Sequence, residues 1–141
     1  MLTRQQWKGV VDFAQAVGAK IVTSFSTGGG TRDASGVWTS DQAQRFLAYT
    51  RAVGGEIAAA EFINEPNLLS QLGAPAGYDA AAYGRDFRIF RAALKKASPD
   101  TLVLGPGSAS SGRPGQMATA GPASPEMLRE AGPPDVVSYH H

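Results

Sequence analysis

Residues 58–69 read AAAEFINEPNLL, a run of small and apolar positions closed by carboxylates, amides and a proline. Alternation along a strand places Glu61, Ile63 and Glu65 on one face, and Phe62 and Asn64 on the other. A carboxylate on a mostly apolar strand is expensive to bury unless it is partnered or used. Pro66 has no N–H to give to a ladder, so the strand is expected to stop beside Glu65. The chemistry of the stretch therefore depends on what gathers at that strand's end.

The flanking sequence supplies the other elements. Thr3 and Gln6 fit a capping box, and Trp7, Val10, Val11 and Ala14 repeat at helical spacing as far as Gly18. AKIVTSFS follows as a strand, and a glycine-rich polar loop leads to Thr39 and Ser40, either of which can cap a second helix. That helix carries Ala43, Phe46, Leu47 and Val53 on its apolar face and stops at Gly54-Gly55. Asp79 starts a third helix, with Tyr83, Phe87, Phe90 and Leu94 spaced four, three and four apart. TLVLGP then reads as an apolar strand, SPEMLREAG as a short helix with Pro125 at its first position, and DVVSYHH as a final strand.

This order, helix and strand in turn with roughly 35 to 45 residues per unit, predicts an α/β fold of parallel strands covered by helices. Two architectures fit: an open doubly wound sheet, or part of a (β/α)8 barrel. A full barrel takes about 250 residues, so a chain of this length makes about half of one.

Composition bounds the function. The chain has 141 residues, 43% of them hydrophobic and 18% charged, as in a globular domain. A net charge of +1 provides no polyanion-binding field, so nucleic acid is not implied. No apolar run approaches the ~20 residues of a membrane span, and no apolar signal-peptide core is present. With no cysteine, the sequence carries no disulfide framework and no thiolate ligand.

In either architecture functional groups collect at the carboxyl ends of the strands. Those ends supply Ser26 and Thr27, then Asn64 and Glu65, then Gly105 to Ser108, then Tyr139, His140 and His141. The second end alone brings a carboxylate. EFINEPNLL, LVLGPGS and VVSYHH, in that order, resemble the heparanase and β-glucuronidase family of retaining (β/α)8 glycoside hydrolases. By that resemblance they are barrel strands four, five and six, and KIVTSFSTG is strand three. The resemblance implies a single incomplete segment, 1–141, of a catalytic domain, acting with the missing remainder of the barrel.

It also implies roles. Glu65 is then the general acid that protonates the leaving oxygen and afterwards the base that activates water. Asn64 binds the sugar 2-hydroxyl, and His140, Tyr139 and Ser26 contribute to the substrate subsite. The second carboxylate of a retaining enzyme lies on a seventh strand, which this sequence does not reach. The 141 residues alone are therefore expected to be inactive. The implied substrate is a β-linked glucuronoside or a uronic-acid-containing glycan, with no cofactor and no metal. An extracellular or periplasmic location is implied for the parent enzyme.

Other readings stand beside this one. A same-clan hydrolase of xylosides or arabinofuranosides is the nearest. A non-catalytic sugar-binding remnant and a small doubly wound phosphate-binding domain are the others. STGGGTR lacks a following Lys-Ser/Thr and does not open directly into a helix, so it is read as a flexible rim loop. Arg32 and Arg113 are expected in solvated rim loops, with contact to an acidic sugar as the alternative. His140 and His141 point to opposite faces of a strand, which disfavours metal ligation. Glu61, deeper on its strand, is expected to be structural.

Overall fold

The computed structural model describes residues 2–71, 74–109 and 124–140. Helices and strands alternate: α1 (Arg4–Val17), β1 (Ile21–Ser24), α2 (Asp41–Ala52), β2 (Ile57–Glu61), α3 (Ala80–Ala97), β3 (Leu102–Ala109), α4 (Ser124–Ala131) and β4 (Val136–His140). The strands form one sheet in the order β1-β2-β3-β4, and every neighbouring pair is parallel. Parallel strands are joined by right-handed crossovers, and successive crossovers running in one direction leave their helices on one face. A doubly wound sheet instead reverses its winding direction partway. The architecture is therefore that of a partial (β/α)8 barrel.

Local chemistry explains most of the elements. Thr3 and Gln6 form the expected capping box, and Gly18, with φ 66°, closes α1 in the left-handed conformation that glycine adopts without a Cβ clash. Trp7, Val11 and Ala14 are buried along one stripe of α1, whereas Val10 is exposed with Phe13 and Val17. Val10, about 60° round the helix from Trp7, falls on the outer edge of that stripe and is 38% exposed, so it does not join the core. In α2, Ala43 and Leu47 are buried and Phe46 packs beside them; Ser40 occupies the N-cap without a side-chain cap bond. Asp79 caps α3 by accepting from Ala82 N at 2.8 Å, and Tyr83, Phe87, Phe90 and Leu94 all lie in the core as their spacing predicts.

Phe62 is the centre of that core. Its ring stacks on Phe90 at 5.0 Å and meets Trp38 edge-on at 5.3 Å, with Tyr83 and Phe87 on its remaining sides. Burying a side chain of this size stabilises the fold by roughly 1.5–3 kcal/mol. The residue beside Glu61 thus anchors the end of β2 under the helices. Gly84 lets α3 approach α4: a Cβ there would stand 2.5 Å from the Glu130 carbonyl carbon.

Two strand boundaries differ from expectation. β2 ends at Glu61, and Phe62 and Ile63 are both fully buried in the core, so Ile63 does not share a face with Glu61. Alternation fails there because the chain bends out of the sheet once its ladder partners stop. In contrast, β3 continues past TLVLGP to Ala109. Its start is clamped by Asp135, which accepts from Val103 N at 2.9 Å and pairs with Lys95 Nζ at 2.7 Å. The Lys95 bond first, and the Val103 amide next, hold that carboxyl below the usual aspartate range.

Candidate active site

The face opposite the helices is where the polar strand ends meet. Ala60 and Val103, paired in register, are fully buried, while Val22 and Leu102, in the adjacent register row, are exposed on the other face. Glu61 follows Ala60 and so belongs to that second face. Its side chain is only 8% exposed. Ser138 Oγ, on β4, donates to Glu61 Oε1 at 2.7 Å, and His140 Nε2 lies 3.3 Å from Glu61 Oε2. The carboxylate fits because residue 107 is glycine: a Cβ there would fall 2.5 Å from the Glu61 carboxyl carbon, and φ is 67°. Glu61 also acts, after burial and Tyr78, to push the buried Tyr83 phenol far up.

Glu65 stands at the rim beyond the end of β2, its side chain 31% exposed. Its φ is 51°, the one non-glycine residue with positive φ among the described residues. A left-handed glutamate costs on the order of 1–2 kcal/mol, and such strain tends to sit where a side chain must be aimed. Two backbone bonds hold it: Glu65 N donates to Gly107 O at 3.0 Å, and Leu68 N donates to Glu65 O at 2.8 Å. The second bond opens the 3-10 turn Pro66–Gln71. His140 Nδ1 lies 3.4 Å from Glu65 Oε1, so one imidazole stands between the two carboxylates.

The remaining candidates fall around this group. Asn64 is exposed at the rim beside Glu65. Tyr139 is exposed on β4, one residue before His140. Ser26 is exposed just past β1, and its carbonyl accepts from Trp38 Nε1 at 3.0 Å. His141 and Arg113 lie outside the described residues. Among the described residues no group of three or more acidic and histidine side chains has the spacing to hold a metal ion.

Arg32 departs from both of its expected roles. Its side chain is 4% exposed, and Nη1 pairs with Asp86, itself fully buried, at 2.7 Å. Nε donates to Thr27 O at 3.0 Å and Nη2 to Thr27 Oγ1 at 2.9 Å, while Nη1 also reaches Gly36 O at 2.8 Å. Tyr78 OH and Arg85 complete the shell of Asp86, and the Tyr78 ring lies against the Arg32 guanidinium. The glycine-rich segment is thus folded down as a 3-10 turn, Gly29–Thr31, onto a buried ion pair. Gly29 and Gly30 stay exposed, as expected of a rim loop, while the Arg32 side chain is withdrawn from solvent.

Sequence reasoning missed two residues that build the rim. Asp86 was hidden inside a helix read only for its apolar face. Asn67 is buried, donating from Nδ2 to Ala109 O at 3.1 Å and accepting from Ala109 N at 2.9 Å. A paired amide of this kind splices the turn after Glu65 to the end of β3. Its signal was the N-E-P-N run itself, in which the second asparagine had no stated partner.

A comparison with curated proteins gives no match. Residues 1–109 match the family model described as glycosyl hydrolase family 79, N-terminal domain, which spans α1 through β3 and includes Glu61, Asn64 and Glu65. A match over that share of the chain shows the family: this protein belongs to glycosyl hydrolase family 79.

Proposed function

We propose that these residues form barrel strands three to six of a retaining glycoside hydrolase of the heparanase and β-glucuronidase type, with Glu65 as acid/base. The observation that carries this reading is the aim of Glu65. A rim carboxylate, held in a left-handed backbone at the end of a parallel strand, faces an imidazole from β4 in a chain of a glycoside hydrolase family. In such chemistry the acid protonates the leaving oxygen as an oxocarbenium-like centre develops, and its conjugate base then deprotonates the attacking water.

Retention needs a second carboxylate about 5–5.5 Å from the first. Glu61 is a poor candidate, because it is buried beneath the rim with both oxygens engaged by Ser138 and His140. The nucleophile is proposed to come from a strand outside the 141 residues. The chain is accordingly read as one incomplete segment of a catalytic domain, inactive alone. A secreted or periplasmic parent enzyme suits a glycan substrate, and no helix among the described residues is long and apolar enough to cross a membrane.

The substrate is proposed to be a β-glucuronoside or a uronic-acid glycan. Arg32 gives that choice no support, since Asp86 already occupies it. A neutral xyloside or arabinofuranoside is the second reading for that reason. The test compares aryl β-glucuronide, β-xyloside and α-arabinofuranoside turnover by the intact barrel. Selectivity for the glucuronide is expected, with no turnover by the 141-residue chain. Selectivity for a neutral glycoside transfers the enzyme to the second reading, and turnover by the short chain removes the requirement for an external nucleophile.

Asn64 is proposed to hold the sugar 2-hydroxyl. Asn64→Ala should lower kcat/KM on the natural glycoside by about 10-fold or more, and change it little on a 2-deoxy analogue. An equal loss on both substrates would assign Asn64 to the turn instead.

A further inference from the structure

We propose that Asn67 is a positioning residue for Glu65: its buried side-chain amide, clamped on Ala109, fixes the backbone from which the acid/base carboxylate is aimed. The inference rests on reading Glu65 as the acid/base. The sheet itself does not hold Glu65. The β2–β3 ladder stops at the Glu61–Leu104 pair, and β2 ends with it. Beyond that point the chain returns to β3 through Glu65 N, which donates to Gly107 O at 3.0 Å. A single bond of this kind is a pivot and leaves the peptide free to turn about it.

The second anchor lies two residues on. Asn67 Nδ2 donates to Ala109 O at 3.1 Å, and Asn67 Oδ1 accepts from Ala109 N at 2.9 Å. The residue is only 5% exposed. A primary amide carries its donor and its acceptor on one rigid planar group, so the two bonds together define an orientation as well as a distance. Pro66 is the one residue between Glu65 and Asn67, and its ring locks φ. Leu68 N closes the turn on Glu65 O at 2.8 Å. A displacement of Asn67 is therefore carried back to Glu65.

A left-handed glutamate, here with φ 51°, is disfavoured alone and persists where its surroundings over-determine it. Those surroundings are Gly107 on one side and Ala109, through Asn67, on the other. β3 is shaped to supply both. Its register with β4 steps from Pro106–Ser138 to Ser108–Tyr139, so Gly107 is the extra residue of a bulge, a device that re-aims groups beside active sites. Ala109 in turn pairs with His140, whose Nδ1 lies 3.4 Å from Glu65 Oε1. The position that Asn67 grips is thus the one that carries the imidazole facing Glu65.

The test is made on the intact enzyme, with phenyl and dinitrophenyl glycosides of the sugar it hydrolyses. Asn67→Leu keeps the branched outline of the side chain and leaves both groups of Ala109 without their partner. Asn67→Ala does the same with less bulk. Misaiming an acid costs most where the leaving group needs a proton. On the phenyl glycoside kcat/KM should fall by about 10–10²-fold, and on the dinitrophenyl glycoside by less than about 3-fold. In a Glu65→Gln background, Asn67→Leu should have little further effect on the phenyl glycoside, because the proton it serves to aim is already gone.

Equal losses on the two glycosides, or losses that add in full to that of Glu65→Gln, overturn the proposal and make Asn67 a structural splice. An unchanged rate in a folded variant overturns it too, as does failure of both variants to fold. If Glu65→Gln by itself loses equally on both glycosides, the reading of Glu65 falls, and this inference falls with it.

Discussion

Glu65→Gln is expected to leave the fold intact and to slow hydrolysis of an unactivated β-glycoside by about 10²–10⁴-fold. The substitution keeps the shape of a half-exposed side chain, and the backbone bonds to Gly107 and Leu68 do not involve it. What is lost is the transferable proton. A leaving group such as dinitrophenolate departs without one, so formation of the glycosyl-enzyme should suffer far less with an activated aryl glycoside. Hydrolysis of that intermediate still needs a base, and a burst followed by slow turnover is the kinetic signature. Stopped-flow release of the phenol on activated and unactivated substrates measures both effects. Equal losses on the two, with no burst, would remove Glu65 from the acid role.

Asp86→Ala is expected to produce the largest loss of stability, about 3–5 kcal/mol. The carboxylate is fully buried, and it neutralises Arg32, whose side chain is itself almost completely enclosed. Removing it leaves a guanidinium without its counter-charge among Thr27, Gly36 and Tyr78. It also takes an acceptor from Tyr78 OH at 3.0 Å. Burial and the Asp86 charge together push the Tyr78 phenol far above its usual range, so that hydroxyl stays a donor at working pH. Replacing both members, as Asp86→Ala with Arg32→Met, should recover part of the loss, since no orphaned charge remains. Denaturant midpoints at unchanged slope measure these changes. A loss below about 1 kcal/mol for Asp86→Ala would mean that water reaches and solvates Arg32.

The two effects mark what a sequence can and cannot show. Local chemistry made α1 and α3 legible, through the Thr3–Gln6 box and the Tyr83, Phe87, Phe90 and Leu94 stripe. The end of β2 was legible in part, because proline after an apolar strand announces a stop, although the strand ends at Glu61, four residues before Glu65. The Arg32–Asp86 pair was not, since its members lie on a loop and a helix that only the folded barrel brings together. Rim arginines are usually solvated, and that prior was overridden by tertiary context. The left-handed backbone at Glu65 was equally hidden: glutamate carries no turn preference, and the backbone bond that holds it in place comes from Gly107 on a neighbouring strand. Glu61 was expected to be structural, and it is buried, but its partners Ser138 and His140 come from β4 at the far end of the chain and could not be named from the sequence.

The most direct measurement of Glu65 as the acid/base of a retaining enzyme is azide rescue of Glu65→Ala in the intact barrel. With an activated aryl β-glucuronide the variant should accumulate glycosyl-enzyme, because water lacks its base. Azide needs no base, and it should attack that intermediate on the face the aglycone left, giving β-glucuronosyl azide and faster turnover. The anomeric proton coupling in ¹H NMR identifies the product. An α-azide would place Glu65 as the nucleophile, and an azide-insensitive variant would deny it either role.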